Sequence, residues 1–280
     1  LVAISEEEYQ NMKQISGIYI YPVKSLGAIS LEKATVSLYG LAFDRQWMVV
    51  DMKGMFLSQR KVPGMALISP QIQGGDLVLT HRDNSRDAVS TPLTGPEGEA
   101  KVTVQVWNDR VEARPCRKAI NEWLSDHLGT YCQLVYLPDQ NARPLSEKYG
   151  KAGEVTLFSD SCPLLIVGEA SLQDLNSHLA EPVPMSRFRP NLVFSEGIAF
   201  EEDNWTNFRI GEVAFRGIRK CTRCKMVNTD QVTAQVYQEP LATLAQYRRD
   251  AQGIYFGLHA SRALDQPDTT IRTGDVLKAH

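Results

Sequence analysis

The stretch "FRIGEVAFRGI" (208–218) running into "RKCTRCKMVNTD" (219–230) decides how this chain is read. The residues before the two cysteines have the look of an antiparallel strand, and "KMVNTDQV" after them carries no helical stripe. A thioredoxin-like dithiol needs its C-x-x-C at the start of a helix in a βαβ setting, so that reading is weakened, though it stays open. A structural zinc site needs four ligands, and here there is one cysteine pair. His81, His127, His178, His259 and His280 show no metal spacing relative to it or to each other. The third reading is a single functional thiolate in an anion site. Arg216, Arg219, Lys220, Arg223 and Lys225 crowd the segment; positive neighbours stabilise a thiolate and would hold a phosphate. The bland alternative is a solvated basic hairpin with two inert thiols.

Working outward, the 280 residues are enough for one large or two modest cores. With 43% hydrophobic and 22% charged residues, the composition is that of an ordinary globule. A net charge of −3 provides no global field for nucleic acid or an acidic membrane surface, so any anion specificity must be local. Five cysteines without disulfide-framework spacing imply a reducing, cytoplasmic setting. No apolar run approaches the roughly 20 residues that span a bilayer. "LVAISEEEYQ" lacks the layout of a signal peptide. No nucleic-acid or membrane partner is therefore expected.

The rest of the chain is mostly strand. "ISGIYIYPV" (15–23) reads as a strand after a short helix capped by Ser5 and Glu8. Hairpins are expected at 45–51/55–60 around Lys53-Gly54, at 71–80 around Gly74-Gly75, and at 101–107/110–116 around Asn108-Asp109. Residues 81–100 read as a long surface excursion. Further strands are expected at 162–167, 191–195, 208–218 and 275–279. Three helices are expected, at 117–129, 169–179 and 240–250, their apolar stripes serving the core. The fold class is α+β, dominated by antiparallel strands that curl into barrels. "PDQNARPLSEKYGKAGE" (138–154) is the expected connection between a unit at 1–137 and one at 155–280.

Four other polar stretches add to the anion-site reading. "YPVKS" (21–25) sets Lys24 and Ser25 at a strand end, and "FDRQW" (43–47) embeds Arg45 in an apolar strand start. "FSDSCP" (158–163) gathers hydroxyls, and "RFRPN" (187–191) has two arginines before Pro190 and Asn191. Singly each is weak; together they offer the cations, hydroxyls and amide that a phosphate-bearing ligand requires.

"YPVKS", "GLAFDRQWMVVD", "FSDSCPLLIVGEASLQDLN", "FRPNLVFS", "FEEDNW", "RIGEVAF" and "CTRC" occur, in this order, as in the MOSC family. The chain resembles the branch with an N-terminal MOSC β-barrel domain, which holds bacterial YcbX-type proteins and the mitochondrial amidoxime-reducing component. The resemblance runs from about Ile15 to near the C-terminus. It implies a β-barrel-like N-terminal domain at 1–137, a MOSC β-barrel domain at 155–280, and a molybdenum cofactor. By the same resemblance, Cys224 is the ligand to the metal and the catalytic residue, while Thr222 and Arg223 line the cofactor. Lys24 and Ser25 match the family's "VKS" element, Arg45 its "DR", Asp160 and Ser161 its "SDxxP", and Arg189 and Asn191 its "RPN". Cys221 receives no ligand role.

The implied activity is reduction of small N-hydroxylated compounds, N–OH to N–H. The competing implication is a non-catalytic cofactor carrier or a sulfur-transfer module. YcbX-type relatives carry an appended ferredoxin-like domain with an iron–sulfur loop, which this sequence does not show. The expected electron donor is then a separate flavin or iron–sulfur protein. "YFGLHASR" (255–262) departs from the family pattern, and His259 there is a tempting proton donor whose bland alternative is a structural histidine.

Overall fold

The computed structural model describes residues 12–279, so the helix expected at Ser5 and Glu8 lies outside the described residues. The largest sheet is built on the strand that leads to the cysteines. In order, its strands are Ile29–Leu31, Gln14–Ile20, Leu192–Ser195, Leu164–Gly168, Gly253–Arg262, Val213–Arg223, Asn207–Ile210 and Leu277–Ala279. Its neighbours run antiparallel except Leu164–Gly168 with Leu192–Ser195, which is parallel. Strands from both ends of the chain thus share one sheet. The chain is α+β, mostly antiparallel strand with three short helices among the described residues.

Two irregularities in the Val213–Arg223 strand redirect its side chains. Its register against Gly253–Arg262 shifts between Gly217 and Arg219 and again between Lys220 and Thr222. An extra residue turns the side chains beyond it to the other face. Val213 and Phe215 accordingly pack in one apolar cluster, whereas Cys221 packs in another with Phe188, Val227 and Phe256. Gly217 is required here, because a Cβ would stand 2.0 Å from the Trp205 carbonyl oxygen.

The first half holds a four-strand run, Trp47–Val50, Gln133–Tyr136, Asp109–Pro115 and Val102–Val106, and a meander of Ile68–Gln73, Asp76–His81 and Asn84–Pro92. The meander turns at Gly74 and Gly75, with φ of 57° and 88°, which glycine adopts without strain. The helix Lys118–Leu128 buries Ile120, Trp123, Leu124 and Leu128 against Trp47, Val49, Leu77 and Leu134, and ends on left-handed Gly129. The other two helices are Glu169–Ser177 and Leu241–Tyr247, each shorter than its apolar stripe suggests. Among the described residues no helix is long and apolar enough to cross a membrane.

Three local expectations are corrected. Residues 84–92 form an edge strand rather than a surface excursion. Only one of its faces packs inward, where Thr91 is buried and Asp87 accepts the Trp123 Nε1–H at 2.8 Å, so its composition is that of a loop. The arm expected at 55–60 stops pairing after Leu57, and the Ser58 carbonyl accepts the N–H groups of both Lys61 and Val62. That turn sends Gln59 and Arg60 away from the hairpin. The third hairpin turns one residue early, at Trp107-Asn108, since Val106 already pairs with Asp109.

Candidate functional site

Several loops converge where the bulged strand ends. They enclose a cleft of about 330 Å³ that takes lining residues from both halves of the chain. Lys24, Ser25, Arg45, Asp160, Ser161, Arg189, Asn191, Thr222, Arg223 and Cys224, the ten residues singled out in the sequence, all line it. So do Arg60, Trp107, Arg187, Arg219, Cys162, Cys221 and His259. Of the five basic residues near the cysteines, only Arg219 and Arg223 face the cleft. Arg216 is paired with Glu154, Lys220 lies over the Tyr255 ring, and Lys225 is exposed outside it.

Four of the lining residues sit in left-handed backbone: Ser25 at φ 68°, Arg45 at 49°, Trp107 at 55° and Arg189 at 56°. Such conformations in non-glycine residues persist only when their surroundings impose them. The surroundings are specific. Asn191 Oδ1 accepts from Arg45 at 2.9 Å and from the Leu165 N–H at 3.2 Å, while its Nδ2 donates to the Tyr19 carbonyl at 3.2 Å. The side chain of Asn191 is therefore spent on holding Arg45 and the strands. The guanidinium carbons of Arg45 and Arg189 lie 4.4 and 4.2 Å from the centroid of the Tyr21 ring. Tyr21 is itself fixed by donating to the Pro190 carbonyl at 3.1 Å, and burial pushes its hydroxyl up to about 12.

The cleft is cationic. Lys24, Arg45, Arg60, Arg187, Arg189, Arg219 and Arg223 face one carboxylate, Asp160. Lys24 Nζ donates to the Phe158 carbonyl at 2.7 Å and pairs with Asp160. Burial brings the Lys24 ammonium down to about 8, against the pull of Asp160. Burial likewise lowers Arg189 to about 10, which leaves it charged at neutral pH. Burial works to raise Asp160, but Lys24, Arg60 and the Trp107 hydrogen bond hold it well below the ordinary carboxylate range. The buried Nε atoms of Arg187, Arg219 and Arg223 have no partner among the described residues, and the same is true of Arg248 and Arg262 away from the cleft.

The cysteines divide by environment. Cys221 is buried and accepts from Arg223 at 2.9 Å. Burial works to raise its thiol, yet Arg223 and His259 outweigh burial and bring it down to about 6. Cys162 lacks that support, and burial pushes it up to about 11. Cys224 is exposed at the head of the short turn Lys225–Asn228, with Arg60 3.4 Å from its sulfur. His259 is occupied, its Nδ1 standing 3.4 Å from the Leu164 carbonyl. Among the described residues no group of three His, Cys, Asp or Glu side chains could hold a metal ion by itself. Arg60 and Trp107 escaped the sequence reading; a positive φ of 55° at an exposed tryptophan is a signal only coordinates carry.

Fold and cleft together define a class: an α+β protein, mostly antiparallel strand, whose two halves build one cationic cleft with a cysteine at its mouth. Residues 12–131 match the MOSC N-terminal beta barrel domain and residues 153–278 the MOSC domain. Mitochondrial amidoxime-reducing component 1 from Mus musculus is 32% identical over 284 residues, covering 95% of this chain and 82% of that protein. The Xenopus laevis protein of the same name is 30% identical over 254 residues, covering 87% and 74%. Molybdenum cofactor sulfurase from Oryza sativa subsp. japonica is 34% identical over 267 residues, covering 87% of this chain and 32% of that protein. The chain thus spans about a third of the length of the sulfurases it matches. It belongs to the MOSC family, in the branch whose MOSC domain follows an N-terminal MOSC β-barrel domain.

Proposed function

We propose that the chain holds the molybdenum cofactor in this cleft and reduces small N-hydroxylated compounds, with Cys224 as the protein ligand to the metal. One observation carries the reading: seven cationic side chains and a single carboxylate surround an exposed cysteine sulfur. The donor set fits a ligand with a phosphate at one end and a soft metal at the other. Lys24, Arg45 and Arg189 bind the phosphate end, with Ser25, Ser161 and Thr222 as hydroxyl partners. Asp160 orients Lys24, Asn191 orients Arg45, and Arg223 donates toward the cofactor beside Cys221. Cys224 offers the soft sulfur that suits molybdenum. When bound, the cofactor supplies the two-electron redox chemistry.

The substrate enters over Thr222 and Cys224, both exposed. The N–O bond breaks, two electrons and two protons are taken up, and the products are the N–H compound and water. The electrons come from a separate flavin or iron–sulfur protein, and the reducing setting is the cytoplasm. The units 1–137 and 155–280, joined by 138–154, are the proposed domains, and the family matches at 12–131 and 153–278 support them. The test is turnover of benzamidoxime or hydroxylaminopurine by metal-loaded protein with an artificial reductant. Absence of turnover with molybdenum bound overturns the reading.

The second reading, a cofactor carrier or sulfur-transfer module, is favoured by the match to the sulfurases. It requires a cofactor that passes readily to an empty molybdoenzyme, whereas the reductase keeps it through turnover.

A further inference from the structure

The Cys224 sulfur meets a polar neighbour from the other half of the chain. Arg60 Nη1 lies 3.4 Å from the Cys224 sulfur. Its guanidinium carbon is 4.7 Å from the centroid of the Trp107 ring and 5.9 Å from that of Phe56. Those two rings pack against each other at 5.0 Å. Trp107 is pinned in turn, since its Nε1 donates to Asp160 at 3.1 Å and Asp160 is paired with Lys24. The backbone beneath Arg60 is equally fixed. Buried Gln59 donates to the Ser25 carbonyl at 2.9 Å, and its amide and that of Gln231 exchange hydrogen bonds at 3.0 and 2.9 Å. Arg60 is thus an arginine on a rigid shelf, aimed at one sulfur. The other arginines nearby are engaged elsewhere: Arg223 with Cys221 and the Phe188 carbonyl, Arg219 with Ser161.

We propose that Arg60 is a positioning residue for the Cys224 sulfur, fixing its direction into the cleft and tuning the metal that it binds. The inference rests on Cys224 being the metal ligand. A sulfur ligand keeps lone pairs beyond the one it gives to the metal, and an N–H donor on one of them orients the sulfur and draws electron density from it. A cation at that distance also favours the more electron-rich, reduced metal.

The test uses cofactor-loaded wild type, Arg60→Gln, Arg60→Lys and Trp107→Phe. It reads molybdenum content, the paramagnetic resonance spectrum of the bound molybdenum, its midpoint potential, kcat and KM. Arg60→Gln is expected to keep its metal, shift the spectrum, lower the potential and lose about 10- to 100-fold in kcat with KM little changed. Arg60→Lys restores part of the potential. Trp107→Phe, which keeps an aromatic face but loses the bond to Asp160, falls between. If Arg60→Gln does not fold, the other two variants carry the measurement. A wild-type spectrum and potential in the Arg60 variants overturns the inference alone. A wild-type protein that takes up no molybdenum, or a Cys224→Ser variant with an unchanged spectrum, overturns the underlying reading and the inference with it.

Discussion

The two ends of the Val213–Arg223 strand carry similar side chains and put them to opposite use. At its start, Arg216 donates to Glu154 through Nε at 2.8 Å, and Ser261 donates to the same carboxylate at 2.6 Å. At its far end, Arg219 and Arg223 have no ion pair among the described residues, and each keeps an unpartnered Nε. Within this strand, what separates the arginine tied into the fold from those that line the cleft is the carboxylate partner, not the density of positive charge. The bulge between Gly217 and Arg219 makes that separation possible, because the extra residue there turns the side chains beyond it to the other face of the sheet.

Breaking the free end at its sulfur has the largest expected effect. Cys224→Ser loses turnover altogether while Cys221→Ser keeps much of it, as followed by benzamidoxime reduction at matched metal content. Equal loss in both favours a dithiol. Breaking the paired end comes next. Glu154→Ala strands a half-buried arginine and the Ser261 hydroxyl, and a denaturant titration should register a loss of about 3 kcal/mol. Arg189→Met sharpens the contrast by reversing the sign on stability. Removing a buried cation that has no carboxylate partner stabilises the fold by about 1 kcal/mol, while calorimetry should show affinity for a phosphate-bearing ligand falling roughly 10- to 100-fold.

The smallest effect is a pH dependence. Lys24 sheds its proton as pH rises through about 8 and then no longer attracts an anion. The Lys24 contribution to affinity is therefore full below about pH 7 and falls roughly tenfold between pH 7 and 9. The slope should vanish in Lys24→Met; a slope that survives there assigns it to another group.

Legibility in the sequence tracks the range of the interactions. Lys24-Ser25, Asp160-Ser161 and Thr222–Cys224 sit in short polar stretches that interrupt apolar strands, and local contrast exposes such residues. The helix at Lys118–Leu128 was equally legible, since its stripe and Gly129 are local signals. Arg60 was not, because the turn at Ser58 that releases it depends on where the pairing with Val49 stops. Nor was the left-handed backbone of Ser25, Arg45 and Arg189, which contacts with distant strands impose on residues that do not prefer it. The polar strand 84–92 was hidden by its position at an edge, where one face answers to water.

The shared sheet also sets a timetable for synthesis. Gln14 pairs with Ser195 and Ile18 with Leu192, so this strand leaves the ribosome long before its permanent neighbour exists. Until residues 192–195 have been translated, that ribbon of isoleucine and tyrosine has an unfilled edge. Assembly then waits on distant closure, which slows folding and leaves the open edge free to pair with a copy of the same chain.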